Sequence, residues 1–206
     1  MAELGILGGT FNPPHIGHLV MVQEALAQLA LDRVLLMPVA QPPHKEALAD
    51  PGAAVRLELC RLATTGEERI EVCDLEIERG GASYTVDTLR ALHDREPEHA
   101  LTFIVGGDMA YSLPSWREPE AVLELARLAV AEREELRREH IAERLEPLNP
   151  GDRVVFFDMP RIYVSSSSIR QRLAAGRPIR YLVPDAVAEA IRDRRLYPRA
   201  AGRPAA

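Results

Sequence analysis

The first 38 residues restrict the fold more than any other part of the chain. ELGIL (3–7) reads as a short buried strand, IGHLVMVQEALAQLA (16–30) spaces its apolar residues as a helix does, and RVLLMP (33–38) is a second apolar strand stopped by Pro38. Two strands separated by one helix make a βαβ unit, whose strands run parallel because the connection is a crossover and not a hairpin. The expected class is α/β, a parallel sheet with helices on both faces.

Later segments keep the alternation. AAVRLELCRLATTG (53–66) is expected as a helix, RIEVCDLEIE (70–79) alternates like a strand until Gly80 and Gly81 break it, and SYTVDTLRALHDRE (83–96) is an amphipathic helix. LTFIVGGD (101–108) repeats the opening: an apolar strand, two glycines, a polar residue. RLAVAE (127–132) is a strand within a mostly helical 117–146, and VVFFDMP (154–160) is the last strand. SSSSIRQRLAAG (165–176) and VPDAVAEAIRDRRL (183–196) are closing helices, while the charge-rich 132–146 fits a solvated helix face. With no repeat or long linker, 1–206 is expected as a single domain, with 165–197 a small helical C-terminal subregion.

Composition narrows the function classes. A net charge of −6 argues against general nucleic-acid binding, which needs a basic excess. No run approaches the roughly 18 apolar residues of a membrane span, and Glu3 and Gly5 interrupt the start of the chain, so no secretory leader is expected. Cys60 and Cys73 lie far apart, outside any metal spacing, and read as free thiols in a reducing compartment. A cytoplasmic protein with neither nucleic acid nor membrane as partner is expected.

GGTFNPPHIGH (8–18) carries the first chemical signal. A strand, a glycine turn and a helix start place a potential anion site at the strand's carboxyl end. Gly8 and Gly9 let the backbone come close to an anion, and the N–H groups of the helix starting near His15 point at the same space. The stretch is neither G-x-G-x-x-G nor a P-loop, since no GK[ST] follows. His15 and His18 share a helix face at its positive end, where no carboxylate stands before Glu24. That arrangement suits an external anion; helix capping, core packing or a zinc pair are the alternatives.

VSSSSIRQR (164–172) carries the second signal, hydroxyls at a helix start with Arg170 in the first turn. A cation there opposes the helix dipole unless an anion neutralises it. Ser165 or Ser166 can cap the helix, leaving other hydroxyls, amides and the Arg170 fork for phosphate oxygens. Lys45, in PPHK (42–45), stands on a proline-stiffened loop and is either a surface lysine or a phosphate ligand. Ser83 and Thr85 are candidate caps, and Asp108 is either a cap or a hydrogen-bond acceptor. Trp116, the single tryptophan, sits in the polar run PSWRE, which favours partial exposure.

The H-x-G-H of His15–His18 after a first strand resembles the nucleotidyltransferase superfamily, and the longer GGTFNPPHIGH resembles the nicotinate-nucleotide adenylyltransferases of bacterial NAD synthesis. V-S-S-S-S-I-R resembles the I-S-S-T-x-I-R signature, with Val164 for Ile and Ser167 for Thr. The SYTVDTL segment and GGDMAYSLPSW resemble two further segments of that family, and the matches lie in order over residues 5–170. Asn12 stands where many members have Asp.

The resemblance implies a Rossmann-like nucleotidyltransferase fold and transfer of the adenylyl group of ATP to nicotinate mononucleotide, giving deamido-NAD and pyrophosphate. It implies His15, His18, Lys45 and Arg170 as catalytic. Gly8, Gly9, Thr10, Phe11, Gly106, Asp108, Ser166 and Ser167 would join His15, His18 and Arg170 around ATP. Lys45, Ser83, Tyr84, Thr85, Asp108, Trp116 and Arg117 would hold the nicotinate nucleotide, with Trp116 on the pyridine ring. Mg²⁺ is implied through the ATP phosphates, with no protein metal ligand assigned, and a homodimer stays open. Transfer to nicotinamide mononucleotide or phosphopantetheine, and a non-catalytic nucleotide sensor, are the rival readings.

Overall fold

The computed structural model describes residues 2–41, 49–132 and 138–197. It opens with β1 (Ala2–Gly9), α1 (Ile16–Gln28) and β2 (Arg33–Pro38), with Leu4 opposite Arg33 and Gly8 opposite Met37 in parallel register. There follow α2 (Ala53–Ala63), β3 (Ile70–Val72), α3 (Leu75–Arg79), α4 (Thr85–Arg95), β4 (His99–Gly106) and α5 (Gly107–Ser112). The chain continues through α6 (Pro119–Leu125), β5 (Arg127–Glu132), α7 (Arg138–Leu145), β6 (Val154–Asp158), α8 (Ser166–Ala174) and α9 (Asp185–Asp193). Among the described residues the strands form one parallel sheet in the order β3-β2-β1-β4-β5-β6. The chain builds outward from β1 to β3, then returns to the other side of β1, so strand order reverses between β1 and β4.

Successive side chains of a strand face opposite sides of the sheet, and here both sides are covered. Leu4, Ile6, Leu35, Met37, Phe103 and Val130 enter one core with Val86 and Leu89 of α4 and Val122 of α6. Leu7, Val34, Leu36, Ile104 and Ala129 enter the other with Met21, Val22 and Ala25 of α1 and Cys60 of α2. Each fully buried Leu, Ile or Val contributes about 1.5–3 kcal/mol relative to exposure, so these two layers hold the sheet between helices. A third cluster joins Leu59 and Ala63 of α2 to Ile169 of α8, Val187 and Ile191 of α9, and Tyr197. It seats the 165–197 region against α2. No helix among the described residues is long and apolar enough to cross a membrane.

Two local expectations change. β1 runs on through Gly8 and Gly9, which pair with Met37 and Pro38, so the glycines end the strand instead of forming a turn. RIEVCDLEIE is a strand for only three residues; the Cys73 N–H still reaches the Leu36 carbonyl at 3.0 Å, and the chain then coils into α3. The cause is tertiary. Leu75 and Glu76 are both buried, and the Glu76 carboxylate accepts from Thr88 Oγ1 of α4 at 2.6 Å. A buried carboxylate needs such a donor, and the helical turn supplies the approach that an alternating strand would not.

Candidate active site

Ligands of open α/β sheets bind beyond the carboxyl ends of the strands where strand order reverses. In this chain that place is the gap between the ends of β1 and β4, which run side by side with Leu7 opposite Ile104. Everything the sequence marked in 8–18 and 106–108 leaves the sheet there.

Beyond β1 the chain passes Thr10, turns at Phe11 with a left-handed φ of 48°, and reaches His15 through Asn12, Pro13 and Pro14, all buried. His15 is the N-cap of α1 and is 4 % exposed; its ring stacks on that of His18, with centroids 3.7 Å apart and planes 25° from parallel. The buried Phe11 ring meets His18 edge-on at 4.9 Å. Gly17 makes the stack possible, because a Cβ there would lie 3.1 Å from two atoms of the His15 ring. The backbone N–H of His15 donates to His18 Nδ1 at 3.2 Å. A neutral imidazole that accepts at Nδ1 carries its proton at Nε2.

The second marked helix start lies against the first. Ser165 caps α8 reciprocally with Ser168: each backbone N–H donates to the other's hydroxyl at 3.1 Å. Ser166 Oγ donates to the Pro13 carbonyl at 2.8 Å, and Arg170 Nη1 donates to the Asn12 carbonyl at 2.7 Å. Arg170 Nη2 donates to Ser167 Oγ at 3.2 Å. These contacts bring segments more than 150 residues apart onto one another. They also alter one expectation, since the Ile16 N–H of α1 donates to the Leu182 carbonyl at 3.1 Å and is not left for an anion. A cavity of about 580 Å³ opens beside this junction, past the ends of β5 and β6, lined by Glu132, Asp158, Tyr163, Ser165 and Ser168 among others.

On the other side of β1, Ser83 is buried; its hydroxyl accepts from the Ala40 N–H at 3.0 Å and its N–H donates to Gln41 O at 3.1 Å. Neither Ser83 nor Thr85 caps α4. The N-cap is Tyr84, without a side-chain cap hydrogen bond. Arg117 lies over the Tyr84 ring at 5.0 Å and pairs with Asp87 at 3.2 Å, joining the 83–87 and 116–117 segments. Trp116 is half-buried as its polar neighbours suggested, with Nε1 donating to Ser112 Oγ at 2.9 Å and its ring edge-on to Phe103 at 6.1 Å. Asp108 is exposed in the first turn of α5, whose N-cap is Gly106, so Asp108 is not the cap. Its carboxylate folds back: Oδ1 lies 2.9 Å from where a Cβ on Gly106 would stand. Lys45 lies outside the described residues.

Arg56 was missed in the sequence. It is 0 % exposed, and donates from Nε to Asp50 Oδ1 at 3.0 Å, from Nη1 to the carbonyls of Thr10 and Val39 at 3.0 and 2.8 Å, and from Nη2 to Ala40 O at 3.1 Å. One guanidinium thus ties the chain beyond β1 to both flanks of the segment that carries Lys45. The signal was present, for Arg56, Leu59, Cys60 and Ala63 fall at 0, 3, 4 and 7 along α2, an arginine in the apolar stripe. The neighbouring Cys60 thiol is pushed up to about 12 by burial, against the opposing pull of Arg56. It is no nucleophile at neutral pH. Among the described residues no three or more His, Cys, Asp or Glu side chains cluster as a metal cage.

Known proteins resemble this chain over nearly its whole length. Residues 6–172 match the family model described as cytidylyltransferase-like. A protein of Exiguobacterium sibiricum named "Probable nicotinate-nucleotide adenylyltransferase" is 43 % identical over 195 residues, 95 % of this chain and 98 % of that one. One of the same name in Shouchella clausii is 40 % identical over 197 residues, 96 % and 97 % of the two chains. The solved Plasmodium falciparum nicotinic acid mononucleotide adenylyltransferase complexed with NaAD shares the fold, with a TM-score of 0.79 at 18 % identity over 96 % of this chain and 98 % of that one. The chain belongs to the nicotinate-nucleotide adenylyltransferase family, a branch of the cytidylyltransferase-like nucleotidyltransferases.

Proposed function

We propose that this protein transfers the adenylyl group of ATP to nicotinate mononucleotide, giving deamido-NAD and pyrophosphate in NAD biosynthesis. The observation that carries the reading is the junction of the two helix starts, where Ser166 and Arg170 of α8 grip the Pro13 and Asn12 carbonyls ahead of the histidine pair.

In this reaction an oxygen of the acceptor phosphate attacks the α-phosphorus of ATP, and the bond to the pyrophosphate oxygen breaks. The acceptor phosphate, with a second pKa near about 6, is already anionic at pH 7, so no general base is needed. Alignment and charge relief are. His18 donates from Nε2 to an α-phosphate oxygen as charge builds there, and His15, stacked behind it, holds that ring in place. Arg170, Ser166 and Ser167 hold the β- and γ-phosphates; the guanidinium retains donors beyond the two on Asn12 and Ser167. Gly8, Gly9, Thr10 and Phe11 form the floor under the triphosphate, Gly106 and Asp108 face the ribose hydroxyls, and the cavity beside α8 takes the adenosine end. The donors gathered here are imidazole, hydroxyl and guanidinium, which suit phosphate better than a hard dication. Mg²⁺ would therefore arrive on the phosphates, held by their oxygens and water, and neutralise their charge.

The acceptor is read by Ser83, Tyr84, Thr85, Trp116, Arg117 and Lys45. The start of α4, with no side-chain cap, presents amides to an anionic pyridine carboxylate and would favour a neutral carboxamide less. Trp116 stacks on the flat ring. The reaction's need for ATP and pyridine nucleotides, and the two free thiols Cys60 and Cys73, which a reducing compartment keeps reduced, support a cytoplasmic location. Pyrophosphate release from ATP, measured in parallel with nicotinate mononucleotide, nicotinamide mononucleotide and phosphopantetheine, tests the reading. Turnover should be fastest with the first. Faster turnover with either of the others, or ATP binding without turnover, overturns it.

A further inference from the structure

Asn12 is held from two directions. Arg170 takes its carbonyl, and Tyr197, beyond α9, donates its hydroxyl to Asn12 Oδ1 at 2.6 Å. Both residues are nearly buried, Asn12 at 2 % and Tyr197 at 7 % exposure. Two further features mark the contact as specified. Tyr197 adopts a left-handed φ of 56°, which an aromatic residue keeps only where its surroundings over-determine it. Its ring is also built into the third core cluster with Val187 and Ile191, so the hydroxyl reaches Asn12 from a rigid base. Burial pushes the Tyr197 phenol above its usual ionisation range, so it stays a donor at neutral pH.

We infer that Tyr197 is a positioning residue for the reacting site: its hydroxyl fixes the Asn12 carboxamide, and with it the Asn12–Pro13–Pro14 approach that sets His15 and His18 against Arg170. The role rests on the adenylyl-transfer reading given above. Tyr197 does not touch substrate; it acts through Asn12, whose carbonyl belongs to the same junction. With the hydroxyl removed, Asn12 Oδ1 is left buried without that donor, and the loop relaxes to satisfy it.

The test is a double-mutant cycle of Tyr197→Phe and Asn12→Ala, with kcat and both KM values measured for ATP and nicotinate mononucleotide and melting recorded for each variant. Tyr197→Phe keeps the ring and should fold, lowering kcat about five-fold with both KM values within about two-fold, the size expected when one buried hydrogen bond acts on geometry. In the Asn12→Ala background the same change should leave kcat unaltered, because the partner is gone. An unchanged kcat for Tyr197→Phe overturns the role, as does an equal loss in both backgrounds, which would mean the phenol does not act through Asn12. Turnover in the wild-type chain with either of those results sinks this inference only. A wild-type chain that does not turn over sinks the functional reading and this role with it.

Discussion

Replacing Arg56 by Met keeps the volume of the side chain inside α2 and removes its charge and donors. The structure assigns four hydrogen bonds to that guanidinium, three of them to main-chain carbonyls of Thr10, Val39 and Ala40. The fourth partner, Asp50, has a side chain 24 % exposed and can turn to water. The carbonyls cannot do so without moving the chain. Each buried acceptor left unsatisfied costs about 1–3 kcal/mol, and breaking a buried charge pair by deleting one partner typically costs about 3–5 kcal/mol in all. Partial rehydration of Asp50 favours the lower half of that range, so about 3–4 kcal/mol is expected, a large share of the roughly 5–15 kcal/mol that holds a domain together. For a chain of this size each kcal/mol shifts melting by about 2–4 °C, which puts the drop at roughly 6–16 °C. Thermal unfolding followed by circular dichroism measures it. Arg56→Lys, which keeps the charge but cannot fork to three carbonyls, should recover only part of the loss. A melting temperature for Arg56→Met within about 3 °C of wild type would refute the claim that this guanidinium holds the ends of β1 and β2 together.

Three further outcomes follow from the site and the core. His18→Ala should lower kcat by about 10²–10³, as loss of one donor to a developing phosphate charge does, with KM for both substrates little changed; a raised KM at unchanged kcat contradicts the role. Trp116→Ala should raise KM for nicotinate mononucleotide by several-fold and leave KM for ATP alone, and equal KM values remove the stacking role. Cys60, whose thiol is raised from 9.0 to about 12 by burial, keeps its proton in the fold and loses it in the open chain as pH climbs past about 9. Its contribution is therefore intact below pH 9 and disappears between about 9 and 12, on the order of 4 kcal/mol at most; urea midpoints should fall over that window, less so in Cys60→Ala.

Much of this was legible in the chain because the signals were local. β5 is Arg127–Glu132, as its apolar run predicts, and β2 is Arg33–Pro38, ended by the proline. Buried parallel strands read as continuous apolar runs whichever face a residue takes, so the sheet needed no knowledge of its order. The misread 70–79 segment shows the limit. Its alternation is real, but a Glu76–Thr88 hydrogen bond made across to α4 decides the outcome, and periodicity carries no information about a partner twelve residues away. The same holds for Arg56 and Tyr197: their residue types are visible, whereas the carbonyls and carboxamide they serve are 16 to 185 residues distant.

The segment between β1 and α1 shows why such distant side chains converge there. Pro13 and Pro14 remove two N–H donors from the approach to the histidines, while every residue keeps its carbonyl, an acceptor with partial negative charge. Left facing the site, those carbonyls would repel a triphosphate. Each of the three carbonyls at Thr10, Asn12 and Pro13 instead accepts from a donor elsewhere in the chain: Arg56 on Thr10, Arg170 on Asn12, Ser166 on Pro13. The stack of His15 and His18 follows directly after them, with His18 Nδ1 also satisfied from the backbone. The acceptors at these three positions are thereby satisfied within the protein. In the proposed reaction a polyanion would meet carbonyls whose partial charge is already offset before it binds, the electrostatic preorganisation that phosphoryl chemistry requires.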